Sequence, residues 1–196
     1  MKHLSTIVLF LLSAPYLLGQ DIKSEISRQF IEYSQLIIDK NFEMAMDYTI
    51  EDIFTIIPRQ ELKKVMESVF NTPSIEFKLH LPEIDNIDRL TVVDGTSYAR
   101  LTTKSNIEMK FVGDAEGNSP ASLDNNEREE LFTAMLKQQF GADHVVRDKL
   151  SGFYTVTGTK IVIAKSYDNK SWKFAVVDNP GMKVLLGRFF PKELLE

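Results

Sequence analysis

The hydrophobic period of this chain changes at Asn71-Thr72-Pro73. Upstream, apolar residues recur every three or four positions, the period of an amphipathic helix. Downstream they recur every second position, the period of a half-buried strand. Helices first and strands second predict an α+β fold, in which helices pack on an antiparallel sheet. Few other arrangements accommodate that order in one short chain.

The helical half divides into three. Ile22, Ile26, Phe30, Tyr33 and Ile37 form one stripe, predicting a helix over 21–40. Asn41 is placed to cap a short second helix with Phe42, Ala45 and Met46 inward. Ile53 to Ile57 reads as a short strand or irregular run. Pro58 pre-sets the start of a third helix. Its expected buried stripe is Leu62, Val65, Met66, Val69 and Phe70.

In the strand half, Ile75, Phe77, Leu79 and Leu81 alternate with Glu76, Lys78 and His80. Asp94-Gly95 marks a hairpin turn, and Ile107 to Val112 reads as a further strand. A polar loop, "GDAEGNSPASLDNN", leads into a fourth helix inserted between strands, with Leu131, Phe132, Met135, Leu136 and Phe140 expected on one side. Gly141 stops it. Strands then follow within 145–157, over 160–167 and over 172–177, with turns expected at Gly158 and at Asp168-Asn169. The closing run, Val184 to Leu195, reads as short helical turns that dock on the core or cover a partner surface.

The N-terminus reads as an address. Lys2 and His3 precede an uncharged apolar run from Leu4 to Leu18, and Gly19 supplies a small residue. That is the layout of a secretory signal peptide, with cleavage after Gly19 or Gln20. The run is shorter than the roughly 20 apolar residues of a membrane span. Residues 1–19 are therefore expected to be a signal peptide and 20–196 a single domain, secreted or periplasmic. The chain has no cysteine, so the product is expected not to be a lipoprotein. It also has no disulfide to lean on, which an exported protein is free to use, so packing must supply the stability. Net charge is −5, and loss of Lys2 makes it more negative. An acidic chain argues against nucleic acid and anionic membranes as partners.

Chemical motifs are sparse. No Gly-x-Ser-x-Gly elbow and no phosphate-cradling glycine loop occurs. Zinc-type histidine pairs are absent. Asp114, Glu116, Asn118 and Asp124 offer oxygens, but the loop lacks the sixth-position glycine and terminal glutamate of a calcium site. No metal and no cofactor is expected. Beyond the signal segment the histidines are His80 and His144. His80 is a candidate proton shuttle if the sheet is covered on both faces, whereas His144 reads as a capping or exposed residue. Of the carboxylates Glu43, Asp47, Glu51 and Asp52, Glu43 suits a helix dipole, and Thr49 with Asp52 has capping-box spacing. Asp47 has no evident structural task and joins His80 as a candidate catalytic group. Asn169-Lys170-Ser171 matches a glycosylation sequon at a turn, where asparagine is expected anyway.

The element order, with "F-x-x-A-x-x-Y" at Phe42, Ala45 and Tyr48 and "F-x-x-I-P" at Phe54, Ile57 and Pro58, resembles the nuclear transport factor 2-like (cystatin-like) superfamily. The "W-K-F" strand at Trp172 to Phe174 and the "FP-x-x-LL" ending at Phe190 to Leu195 fit the same resemblance. It implies a cone, in which helices close one side of a curved sheet. Phe54, Tyr98, Met109, Phe111, Tyr154 and Trp172 fall on segments that would line it and would suit an apolar or aromatic ligand. Such cones host enzymes, carriers and interaction modules alike. Three functions follow: a non-enzymatic exported module for a small apolar ligand or protein partner, an acid–base isomerase or dehydratase, and a structural envelope protein. A homodimer stays open.

Overall fold

The computed structural model describes residues 14–112, 125–177 and 180–195. It is an α+β fold, with helices preceding an open, curved, antiparallel sheet of seven strands. Helix α1 spans Ala14–Ile38, α2 Phe42–Ala45 and α3 Arg59–Phe70. The strands are β1 Ile75–Leu79, β2 Glu83–Ile87, β3 Thr91–Val93 and β4 Thr96–Phe111. Helix α4, Asn125–Phe140, follows; then come β5 Val145–Arg147, β6 Tyr154–Ser166, β7 Lys173–Val177 and helix α5 Pro180–Leu186. The expected signal segment lies largely at 1–13, and the oxygen-rich loop at 113–124, both outside the described residues. Among the described residues no helix is long and apolar enough to cross a membrane.

The sheet is built on one pair. β4 and β6 run antiparallel from Ser97↔Ser166 to Met109↔Tyr154. Along one edge of β4 lie β1, β2 and β3; along the far edge of β6 lie β5 and β7. Because side chains alternate along a strand, Ala99, Leu101, Thr103, Ser105, Ile107 and Met109 share one face with Ala164, Val162, Lys160, Gly158, Val156 and Tyr154. α1 covers one end of that face through Ile26, Phe30 and Tyr33, against Leu101, Val162 and Phe174. α4 covers the other end through Phe132 and Leu136, against Met109, Tyr154 and Val156. The opposite face buries Tyr98, Ile163, Ala175 and Val177 beneath Ile50, Ile53 and the C-terminal Leu186, Phe190 and Leu194. The closing run thus docks on its own core, leaving Val184 exposed.

Helix ends follow local chemistry. α1 stops where Lys40 takes a left-handed φ of 56° and the Asn41 N–H donates to the Leu36 carbonyl at 2.8 Å. The Asn41 side chain accepts from the Met44 N–H at the start of α2. Pro58 sits at the N-cap of α3. At the hairpin Asp94 (φ 49°) and Gly95 (φ 76°) are both left-handed, the requirement of a type I′ turn.

Gln29 ties α1 to the sheet. Its Oε1 accepts from the buried Trp172 N–H at 2.8 Å, and its Nε2 donates to the Lys170 carbonyl at 2.6 Å. Gln29→Leu strands the buried Trp172 N–H and is expected to cost about 2 kcal/mol. Urea unfolding checks it, and a loss below about 0.5 kcal/mol would remove the tether from the account.

The structure corrects or refines five expectations. α3 has no buried residue. Val65 and Val69 are about half exposed, because only its ends reach a core: Leu62 leans on the C-terminal cluster, and Phe70 stacks on Phe42 and meets Phe77 edge-on. In α4 only Phe132 and Leu136 are buried, against Met109, Tyr154 and Val156; Leu131, Met135 and Phe140 face outward. Gly158 is no turn: it lies inside β6, opposite Ser105. The turn is instead at Asp148–Phe153, where the Asp148 N–H donates to the Phe153 carbonyl. Ile107 to Val112 is mostly the end of one long strand, β4, and β2 emerges from "EIDNI", whose polar alternation and bulge disguise it. Ile53 to Ile57 is largely a 3₁₀ turn, Glu51–Thr55.

Candidate functional site

Between the α1-covered and α4-covered ends of the sheet, the shared face is left open. There β4 carries Thr103 and Ser105, too small to fill the gap. Their hydroxyls bond within the sheet, Ser105 Oγ to the Gly158 carbonyl at 3.2 Å and Thr103 Oγ1 to the Lys160 carbonyl at 3.4 Å. The gap is a cleft of about 190 Å³. Phe30, Tyr33, Ile37 and Ile38 of α1 form one wall, Phe70, Leu79 and Pro82 another, and Ile107, Val162 and Val176 part of the floor. His80, Ser34, Asn106 and Lys160 supply polar edges. Burial raises the Tyr33 phenol above its ordinary range, against a smaller opposing hydrogen bond with Thr49.

His80 stands at the cleft mouth and lines both it and an adjoining groove of about 420 Å³. His80 Nε2 lies 2.9 Å from Glu108 Oε1, and Lys78 Nζ reaches the other oxygen of Glu108 at 3.7 Å. The imidazole is 45% exposed. His144 lines the same groove, with Lys104, Thr157 and Thr159. The two histidines are 64 positions apart in sequence, and only the pairing of β1 and β5 with the central strands gathers them.

None of the six aromatic and apolar residues expected to line a pocket lines this cleft. The structure divides them among separate clusters. Trp172 is buried beneath α1 with Phe174. Tyr98 packs edge-on against Phe190 on the far face. Met109, Phe111 and Tyr154 pack under α4, where the Tyr154 hydroxyl meets Thr133 Oγ1 at 2.5 Å. Phe54 is half-buried, with the Arg59 guanidinium 6.0 Å from its ring centre. Many of the residues that do line the cleft come from the α1 stripe and from alternate positions of β4, with Phe70, Pro82, Val162 and Val176 completing it. Their signal was the alternation itself, had β4 been read through "LTTKSNIEM" as one strand.

The carboxylates of 43–52 are each ion-paired. Arg59 holds Asp47 at 2.8 Å and Glu43 at 3.1 Å, and Lys173 holds Glu51 at 2.6 Å. Asp52 makes no capping box; it pairs with Lys165 at 2.5 Å, while the Thr49 hydroxyl donates to Ala45. Asp47 is 68% exposed, does not line the cleft, and has a structural partner after all. Among the described residues no three histidine or carboxylate side chains are placed to hold a metal ion. Compared with known proteins, the chain matches no protein-family model, no curated protein and no solved structure.

Proposed function

We propose that this chain is an exported, non-enzymatic module of the cone-shaped nuclear transport factor 2-like kind, and that it holds a small apolar ligand in the cleft beside α1. The observation that carries this is the lining: an apolar wall from α1 facing a sheet floor whose Thr103 and Ser105 hydroxyls already donate to main-chain carbonyls of β6. Such a surface gains most from an apolar group and little from a highly polar one. Size narrows the ligand. A cavity of about 150 Å³ accepts benzene, so 190 Å³ suits one aromatic ring or a short acyl chain. Indole and hexanoate are suitable probes, followed by amide shifts in nitrogen-15 NMR. At millimolar probe the shifts should cluster at Ser34, Ile37, Thr103 and Ile107. Ile37→Trp fills the cleft and should weaken binding at least tenfold. Equal binding by that variant, or shifts confined elsewhere, would sink the reading.

One observation favours the acid–base alternative: the His80–Glu108 pair at the cleft mouth. It predicts that His80→Gln abolishes turnover of a bound substrate while leaving its affinity unchanged. The carrier reading predicts that His80→Gln changes affinity slightly and nothing else.

A further inference from the structure

We infer, resting on the reading of the cleft beside α1 as open to one apolar group, that Leu150 of one copy of this chain docks in that cleft of another copy and joins the copies head to tail. An exposed leucine alone needs no explanation. Leu150 is set apart by how far it stands out and how firmly it is held. It is 98% exposed; Val184, the next large apolar residue among those described, is 73% exposed. The loop beneath it is built on Asp148. Asp148 Oδ1 accepts the Leu150 N–H at 2.9 Å, and Oδ2 accepts the Ser151 hydroxyl at 2.6 Å. The Asp148 carbonyl accepts the Gly152 N–H at 2.9 Å, and the Asp148 N–H donates to the Phe153 carbonyl at 2.8 Å. Gly152 closes the turn with a left-handed φ of 75°. A side chain presented on a fixed loop loses little backbone freedom when it docks.

Size and reach favour a second copy as the occupant. A cavity of about 150 Å³ holds the six carbons of benzene, so 190 Å³ takes the four carbons of a leucine side chain. Leu150 cannot fill the cleft of its own chain. It lies before the start of β6 at Tyr154, and the cleft floor is at Val162, about 25 Å along the strand. Because leucine and cleft lie apart, each contact leaves a free leucine at one end and a free cleft at the other, so further copies add.

Charge points the same way. Lys149, beside the leucine, is exposed and makes no ion pair among the described residues. Two exposed carboxylates adjoin the cleft lining: Asp39 follows Ile38 of the α1 wall, and Glu83 follows Pro82. Asp39 accepts from the neutral Gln35 amide at 2.8 Å. Glu83 has Lys104 within reach, but Asp85 already holds that ammonium at 2.9 Å. A lysine arriving with the leucine therefore meets a rim with negative charge to spare. Elsewhere the net charge of −5 makes copies repel, which favours this orientation over others.

The test is sedimentation velocity on the full chain, across about a hundredfold range of concentration around a Kd expected on the order of 0.1 mM. The mean mass should climb with concentration. Leu150→Asp and Ile37→Trp should each associate at least tenfold more weakly, and Lys149→Glu about threefold more weakly. Leu150→Asp changes a side chain that stands in solvent, so its unfolding midpoint should stay within about 4 °C of the parent. Mixing is the decisive arm. The intact cleft of Leu150→Asp takes the intact leucine of Ile37→Trp, and growth stops at pairs. With Leu150→Asp labelled by nitrogen-15, the Ser34, Thr103 and Ile107 amides should shift on adding Ile37→Trp and not on adding unlabelled Leu150→Asp. Millimolar indole should break the parent assemblies by taking the cleft. A parent that stays monomeric yet shifts with indole overturns the docking and leaves the carrier reading; mixed pairs in a chain that ignores indole do the reverse. Parent monomers that pellet with phosphatidylglycerol vesicles, and cease to in Leu150→Asp, assign the leucine to a lipid surface and overturn the docking.

Discussion

Asp52→Ala is expected to destabilise the fold by about 3 kcal/mol, while Asp47→Ala should cost under about 0.5 kcal/mol. The two aspartates sit five residues apart and each has one cationic partner, so only their surroundings separate them. Asp47 and Arg59 meet in solvent, with Asp47 68% exposed. Lys165 is 9% exposed at its side chain, and its ammonium reaches Asp52 while lying 5.1 Å from the Tyr167 ring centre. Removing Asp52 leaves that ammonium buried without its counter-charge, which costs far more than the pair contributes over an apolar replacement. Asp52→Leu combined with Lys165→Met should therefore recover most of the loss. Chemical unfolding of the three variants checks this, and similar values for Asp52→Ala and Asp47→Ala would refute it.

The pair also sets an alkaline limit. Burial alone would depress Lys165, but Asp52 and Tyr167 together outweigh it and raise the ammonium above its ordinary range. A raised lysine favours the folded state while the unfolded chain also keeps its proton. That contribution is complete below the ordinary lysine value, near 10.5, and fades as pH climbs from there through the higher folded value. Parent and Asp52→Leu/Lys165→Met should accordingly converge above about pH 10.5.

Phe174→Ala should cost about 4 kcal/mol. Phe174 is fully buried, edge-on to Phe30 at 5.3 Å and stacked on Tyr33 at 5.8 Å. It is the ring through which α1 grips the sheet, and its carbonyl also accepts the Ile50 N–H. A domain of this kind holds roughly 5–15 kcal/mol in total, so one truncation removes a large part of the margin. Phe54→Ala, at a half-buried ring beside Arg59, should cost about 1 kcal/mol. If the two losses are equal in thermal unfolding, the aromatic grip is not where the stability lies.

Much of the fold was legible because it obeys local rules. The stripe of α1, the Asn41 cap, the Pro58 start and the Asp94-Gly95 turn depend on neighbours in sequence, and periodicity reports them. What was hidden depends on distant partners. Asp52 looks like a capping residue until Lys165 arrives from 113 positions away. Gly158 between two threonines looks like a turn until β4 pairs straight past it. The exposed side of α4 carries Leu131 and Met135, which hydropathy alone cannot separate from the buried Phe132 and Leu136. The cleft was misplaced for the same reason: aromatic residues mark cores as readily as pockets, and here all six sit in packed clusters or beside a cation. The lining residues are a product of which face each strand turns, and that requires the register.

The long β4–β6 pair carries a consequence for the life of the chain before it folds. Ser97 must meet Ser166, and Met109 must meet Tyr154, so the central contacts join segments made far apart in time. Until β6 has left the ribosome, α1 has only part of its packing surface and most edge strands have one neighbour or none. Contacts of such long sequence separation fold slowly. A polypeptide with this topology therefore completes its central sheet only after β6 and β7 have been made, late in its synthesis.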